Sequence, residues 1–414
     1  MCAAAETKLR IAWFSPLEAA GASCCRSAAA YVTNELLPLL GQKFAIDVFS
    51  AESSGACGDG VHLLPYSSAL ACHNKRNYDV FFYQIEDSAA CDALRLHQML
   101  VPGVVLFHDV LMRPRETEYS PLRCECAAMF EEFLGRAQAP AAVCPGEECA
   151  AFAALEARAA AVPLFSCERN LFEYRRLVRA PLSAALPLKP DAYYLPYPVR
   201  LPGDARSARP EGAFRCAFSG STLIEHHAHV LLAALNRISH PFELTWLLDE
   251  VEAAEAAQLC AEFGVGQVQF VMPRSFEKWR EVLSQASAAV HLLFSAYGDP
   301  GPWLNISLQS GVPCIVNDFA AAAFLPADVA YKVPCGQGES DCLLQLFNEL
   351  RHRGRKSTAR AGAAYAAEYF LPQTVAAELA LVFERSAGAL RTLNAAWFER
   401  FGRRIEAALA QLTV

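Results

Sequence analysis

Short apolar runs alternate with longer stretches of helical periodicity along the first half of the chain. Some runs are apolar at every position, as at residues 104–107, which is typical of strands covered on both faces of a sheet. Strands that alternate with helices pair in parallel through right-handed crossovers. The pattern predicts a helix over 27–40 and strands over 9–14, 44–50, 78–84, 103–107 and 162–167.

A proline-rich segment separates this half from a second one. Seven prolines fall between residues 181 and 210, and proline disfavours both helix interiors and central strands, so the segment is predicted to be a linker. The same alternation then restarts. It predicts helices over 226–238, 252–263, 276–285 and 303–310, and strands over 214–218, 242–248, 268–271, 288–293, 312–317 and 329–333.

Together the two halves predict an α/β fold with two Rossmann-like domains that face a ligand-binding cleft. We expect an N-terminal domain over 1–185, a linker over 186–213, a C-terminal domain over 214–385 and a C-terminal helix over 386–414. This last helix is expected to pack on its own protein, returning to the first domain. Its apolar face comprises Trp397, Phe398, Phe401, Ile405, Leu409 and Leu412.

Composition and charge narrow the function. The 414 residues are 54% hydrophobic and 19% charged, which argues against disorder. The net charge is −8 and no domain is strongly basic, so a nucleic-acid partner is not expected. The densest basic run, residues 351–356, has two interpretations: a solvated helix end, or a peripheral contact with phosphate or an anionic membrane.

The sixteen cysteines do not predict a disulfide scaffold, because they are scattered along a long chain with no recognisable export signal. Cys216 and Cys314 lie in apolar strand-like segments, where buried thiols behave as small hydrophobes. We therefore expect a cytoplasmic protein. The spacings of the cysteines between residues 124 and 149 fit zinc knuckles poorly, so no metal site is predicted. No apolar run is long enough to predict a transmembrane helix.

Two junctions of the first half are candidate ligand sites, because ligands bind at the carboxyl ends of strands in open α/β sheets. The loop over 15–23 lacks the glycine pattern of dinucleotide-binding dehydrogenases, but Gly21 and Ala22 leave room for an acceptor. His108 and Asp109 follow a buried strand and can bind hydroxyl groups. An ordinary loop and a structural histidine are the alternatives.

Two junctions of the second half favour an anion. Gly220, Ser221 and Thr222 follow its first strand, and their backbone N–H groups can face a phosphate near a helix start. His226 and His227 come next and are expected to contact a diphosphate, although surface histidines with no role are the alternative. After the third strand, Arg274 lies where a nucleobase-binding loop is expected.

The most informative junction covers residues 295–313, which predict a strand end, a tight turn with a carboxylate, a short helix and another strand. Asp299 in the turn can accept hydrogen bonds from sugar hydroxyls. The first helical residues present their N–H groups to phosphates. They are Gly301, Pro302, Trp303 and Leu304.

In order and spacing, these junctions resemble the glycosyltransferase family 4 pattern of retaining GT-B enzymes, especially bacterial polysaccharide-type members. The resemblance covers nearly the whole chain. Its most specific match runs over 297–313 and continues at 315–318 and 325–329. The first half contributes weaker matches at 14–17, 34–38, 46–48, 78–80 and 102–109.

The resemblance implies transfer of a sugar from a nucleotide-sugar donor to an acceptor hydroxyl, with retention and without a metal or other cofactor. The acceptor would be a glycan, a lipid-linked molecule or a protein. Asp299 and His108 would orient the sugar. Gly220, Ser221 and the start of the short helix would stabilise the charge on the leaving diphosphate.

Three departures from the family pattern bear on activity. Asp299 stands where the family usually has a glutamate, and Ser307 where a second glutamate holds the ribose. His226 or His227 replaces a lysine that meets the diphosphate, and a neutral imidazole stabilises that charge less than a fixed cation does. The alternatives are a catalytically weak or inactive GT-B protein that binds a sugar nucleotide or a partner, and a GT-B epimerase or phosphorylase.

Overall fold

A computed structural model describes residues 8–17, 27–50, 61–112, 120–135, 150–151, 154–178, 181–188, 191–200, 213–353 and 356–411. The chain forms two compact units. Ser27–Pro196 and the C-terminal part from Val375 belong to the first unit, together with the N-terminal strand. Tyr197–Thr374 forms the second. The predicted linker therefore contributes to both units.

The first unit is built on a seven-stranded parallel sheet with the order β3-β2-β1-β4-β5-β8-β9. A separate antiparallel pair is formed by β6 and β7. The strands are β1 Arg10–Phe14, β2 Ala45–Ser50, β3 His62–Pro65, β4 Val80–Ile85, β5 Val104–Phe107, β6 Leu111–Met112, β7 Ala150–Ala151, β8 Val162–Phe165 and β9 Tyr193–Tyr194.

Helices cover this sheet, and every residue of β4 and β5 is buried, as expected for central strands of a parallel sheet. Position 103, directly before β5, requires glycine, because a Cβ there would lie 2.2 Å from the Phe81 carbonyl oxygen. The helices are α1 Ala28–Lys43, α2 Ala69–Arg76, α3 Asp92–Leu100, α4 Ser120–Phe133, α5 Ala154–Ala159 and α6 Glu168–Leu177.

The second unit repeats this architecture around a six-stranded parallel sheet with the order β12-β11-β10-β13-β14-β15. Its strands are β10 Phe214–Phe218, β11 Phe242–Leu247, β12 Val268–Val271, β13 Ala288–His291, β14 Cys314–Asn317 and β15 Tyr331–Val333. The helices are α7 Ala228–Leu235, α8 Ala253–Glu262, α9 Phe276–Gln285, α10 Gly301–Gln309, α11 Ala320–Ala323, α12 Glu339–Arg353 and α13 Lys356–Tyr369.

The last helix, α14 Pro372–Gln411, packs along the first unit from Val375 onward. Trp397 is fully buried and its indole N–H donates to the Leu100 carbonyl oxygen at 2.9 Å. Phe383 packs against Phe82 with ring centroids 5.3 Å apart. The described part of the apolar face predicted for this segment therefore packs on its own protein, and the helix begins earlier than residue 386. Leu412 lies outside the described residues.

The predicted fold class is confirmed: two parallel sheets with crossover helices form two Rossmann-like units. The described cysteines are free thiols, and Cys216 and Cys314 are buried as expected. None of the helices in the described part of the chain has the length and apolar character needed to cross a membrane.

Candidate functional site

At the carboxyl edge of the second sheet, several loops contact one another, and ligands bind at this edge in parallel α/β sheets. The loop after β10 meets the loop after β11, because the Ser221 hydroxyl donates to the Glu252 carboxylate. Arg274 follows β12, and its Nη1 lies 3.5 Å from the Ser219 carbonyl oxygen. Its guanidinium lies over the ring of Trp303 in α10. One region therefore gathers residues from four junctions.

Gly220 is required by close packing. A Cβ at this position would lie 2.3 Å from the ring of Phe218, so a side chain would force the loop or the ring to move. The Gly220 carbonyl oxygen also accepts a hydrogen bond from the indole of Trp246 at 2.8 Å. The glycine thus fixes the path of the loop that leads to the histidines.

The hydroxyls of Ser221 and Thr222 are bonded to carboxylates. Ser221 donates to Glu252, and Thr222 Oγ1 donates to Glu255 at 2.8 Å. Burial acts to raise the pKa of Glu252, but the hydrogen bond from Ser221, another from a backbone N–H and the nearby Arg274 outweigh burial and lower it. The backbone N–H groups of Thr222 and Leu223 are engaged as well, because they donate to the Glu252 carboxylate and to the Ser221 hydroxyl.

His226 is half-buried beside Arg274. Burial, and then the positive charge of Arg274, lower the pKa of His226 to about 4. The ring is therefore neutral near pH 7, so His226 does not supply the positive charge of the lysine that the family pattern has at this place. His227 instead contacts the Glu339 carboxylate, with 2.9 Å between Nδ1 and Oε1. Within the described residues, no group of His, Cys, Asp and Glu is arranged to hold a metal ion.

Arg274 supplies a fixed cation at this edge. Its guanidinium carbon lies 5.6 Å from the ring centroid of Trp303, a cation–π geometry that orients the side chain. The Phe276 ring packs against the same indole, with ring centroids 4.3 Å apart. Arg274 was predicted to lie in a nucleobase-binding loop. In the structure it is the charged group between the β10 loop and the start of α10.

Asp299 closes the turn before α10. Its Oδ1 accepts from the Gly301 N–H at 2.9 Å, and Gly301 has φ +64°, a left-handed conformation that favours glycine. Pro302 follows in the first helical turn, where its missing N–H has no cost. The carboxylate therefore has a structural contact of its own, and sugar binding would be an additional role.

Ser307 lies on the buried face of α10 rather than at the carboxyl edge of the sheet. It is fully buried, accepts from the Trp279 indole at 2.9 Å and donates to the Trp303 carbonyl oxygen at 2.9 Å. His291 Nε2 lies 2.8 Å from the same hydroxyl. A ribose contact through Ser307 would require this network to open. Leu304 is buried on the same helix and borders a narrow pocket.

In the first unit, His108 follows β5 as predicted but is almost fully buried. Its Nε2 lies 3.0 Å from Gln84 Oε1, and burial lowers the pKa of His108 to about 3. Gln84 in turn donates to Thr33 at 2.6 Å, and Thr33 donates to Ser15 at 2.9 Å. The imidazole is therefore a neutral member of a polar network at the carboxyl edge of the first sheet.

Asp109 accepts from the Asp87 N–H at 2.8 Å and so shapes the loop after β4. Nearby, the Glu86 carboxylate accepts from the Ser27 hydroxyl at 2.9 Å at the start of α1. Burial raises the pKa of Glu86. The sequence analysis did not single out Glu86, although its position directly after a buried strand was a usable signal. The predicted acceptor-side residues 21 and 22 lie outside the described part of the chain.

No protein-family model and no curated protein sequence matches the chain. Solved structures do. Sucrose-phosphate synthase from Thermosynechococcus elongatus is 14% identical, with a TM-score of 0.66, over 92% of this chain and 100% of that one. Anabaena HepE, solved with UDP and glucose, is 13% identical, with a TM-score of 0.61, over 91% and 99%.

WaaG, a glycosyltransferase involved in lipopolysaccharide biosynthesis, is 12% identical, with a TM-score of 0.58, over 89% of this chain and 98% of that one. At such identities the likeness establishes the fold and not the activity. The fold of this chain is therefore that of the GT-B glycosyltransferases.

Proposed function

We propose that the protein transfers a sugar from a nucleoside-diphosphate sugar to an acceptor hydroxyl. The observation that carries this proposal is the fixed cation Arg274 beside the start of α10. A helix N-terminus and a guanidinium both favour the phosphate oxygens on which negative charge develops as the sugar leaves. Transition-state charge is thus stabilised by groups that are already in place.

The other predicted residues have supporting roles in this proposal. Gly220 keeps the loop backbone close to the phosphates, and Asp299 holds sugar hydroxyls while it caps the turn. His108 would accept or donate one further hydrogen bond to the sugar. Because protein groups stabilise the diphosphate, we propose a reaction that needs no metal, and retention follows from the family resemblance.

A uridine nucleotide is the first donor to test, because HepE structures were solved with UDP and with UDP-glucose. The acceptor is proposed to be a glycan, a lipid-linked molecule or a protein in the cytoplasm. The described cysteines are free thiols, which fits a reducing compartment.

The second candidate function is binding of a sugar nucleotide without turnover. Two observations favour it: the hydroxyls of Ser221 and Thr222 are bonded to carboxylates, and Ser307 is buried. Such a protein would bind a nucleoside diphosphate through Arg274 and the helix start but would lack groups that distinguish the transition state.

The test is a panel of nucleotide-sugars, measured by thermal shift and by release of nucleoside diphosphate with and without pooled glycan acceptors. A ligand that binds the folded state raises the melting temperature by mass action. The transferase proposal expects stabilisation by one nucleotide class and catalytic release of its diphosphate. Binding without release would support the second candidate. No stabilisation by any member of the panel would reject both.

A further inference from the structure

His227 has an unusual backbone conformation at the start of α7. Its φ is +48°, in the left-handed region that glycine favours and other residues adopt at a cost. The side chain is held in place, since Nδ1 lies 2.9 Å and 3.1 Å from the two carboxylate oxygens of Glu339. The contact joins positions 112 residues apart.

Glu339 is itself almost completely buried at the start of α12, with 1% of its surface exposed. Besides His227, it accepts from Asn317 Nδ2 at 2.7 Å and from the Gly336 N–H at 3.0 Å. Three different groups therefore contact this one carboxylate. An ionised carboxylate accepts only, so the His227 nitrogen that faces it carries a proton.

The other ring nitrogen of His227, Nε2, forms no hydrogen bond with the residues that the structure describes. Besides Glu339, the titratable groups around His227 are the neighbouring His226 and His229. The ring centroids of His227 and His229 lie 5.5 Å apart. Cys335 also lies close enough to Glu339 to interact with it electrostatically. Phe294 covers one side of the His227 ring, with centroids 5.2 Å apart.

We propose that Glu339 is a positioning residue that holds His227 as an imidazolium whose Nε2–H binds the diphosphate of the donor. This inference rests on the proposed function. With Nδ1–H committed to Glu339, Nε2 carries a hydrogen only when the ring is charged. The Glu339–His227 pair thus provides a second cationic donor at a site where His226 is neutral.

The proposal predicts a pH-dependent affinity for nucleoside diphosphates. Affinity should fall as the pH rises and His227 loses its proton. In Glu339→Gln the neutral amide no longer stabilises the imidazolium, so this fall should move to lower pH, and affinity at pH 7 should drop about 10-fold or more. His227→Asn, which tolerates the left-handed conformation, should remove this component of the pH dependence.

The experiment is calorimetric titration with a nucleoside diphosphate and with the corresponding nucleoside, from pH 5.5 to pH 8.5. Asp341→Asn is the matched control, because Asp341 lies on the same helix but pairs with the exposed Arg237. The nucleoside should bind equally to all variants. Melting temperatures verify folding, and His227→Asn provides an independent test if Glu339→Gln is unstable.

An unchanged pH profile in both folded variants would overturn the inference while leaving the proposed function intact. Loss of sugar transfer without a change in diphosphate affinity would also overturn it, because His227 would then act on the sugar. Failure of the unmodified protein to bind any nucleoside diphosphate at any pH would instead reject the proposed function on which the inference rests.

Discussion

Replacing Arg274 by methionine tests the origin of phosphate binding. Methionine keeps an unbranched apolar stem against Trp303 but removes the charge. A hydrogen bond to a charged group contributes about 1.5–3 kcal/mol, so the affinity for a nucleoside diphosphate should fall roughly 10- to 150-fold. Loss of the cation–π contact costs about 0.5–1 kcal/mol of stability at an exposed site, which predicts only a small decrease in melting temperature.

The substitution also has a pH signature. Burial first, and the charge of Arg274 second, lower the pKa of His226 to about 4, so removal of this charge should raise that pKa in part. His226 would then protonate more readily as the pH falls and partly replace the missing cation. The affinity deficit of Arg274→Met should therefore be smaller at pH 5.5 than at pH 8.

Calorimetry with a nucleoside diphosphate and its nucleoside separates the effects, since only the diphosphate should respond. Arg215→Met is the matched control. Arg215 lies near the start of β10, at the amino ends of the strands of the same sheet, and pairs with Glu243. Equal diphosphate affinity in unmodified protein and a well-folded Arg274→Met would refute the assignment of Arg274 to the phosphates.

Three further predictions concern single residues. Asp299→Asn should keep the turn, since asparagine also caps, but should lower sugar transfer about 10- to 150-fold at nearly unchanged diphosphate affinity; unchanged transfer would leave Asp299 a structural role only. Gly220→Val should lower the melting temperature and weaken nucleotide binding, because its Cβ would start 2.3 Å from the Phe218 ring; normal values for both would show that the loop adapts. Burial lowers the pKa of His97 from 6.5 to about 3, so below pH 6.5 the unfolded chain takes up a proton that the folded chain does not, and the free energy of unfolding falls. His97→Gln should reduce this fall by about 1.4 kcal/mol per pH unit, measured by urea unfolding between pH 6.5 and pH 4.5; an identical slope would contradict the buried, neutral state.

The fold was predictable because its central strands are continuous apolar runs that alternate with helices. The bounds of β10 agree with the predicted range, and those of β4 lie within two residues of it. By contrast β3 was missed: it has four residues, begins with His62, ends at Pro65 and lies at the edge of the sheet. Edge strands with little burial carry no periodic signal.

The candidate site was predictable as a set of junctions but not as a set of contacts. The sequence located Arg274 and His227 at strand ends. It did not show that Arg274 lies against Trp303, or that His227 pairs with Glu339, because these contacts join residues far apart in the chain. The family resemblance placed Ser307 at the ribose, and the sequence did not show that the packing of α10 turns its hydroxyl toward Trp279 and His291.

Binding of the donor's diphosphate by the second unit is tested most directly by a crystal structure with the nucleoside diphosphate that gives the largest thermal stabilisation. We expect phosphate density within hydrogen-bond distance of the Arg274 guanidinium and next to the backbone N–H groups at the start of α10. Phosphates bound only at the carboxyl edge of the first sheet would contradict it.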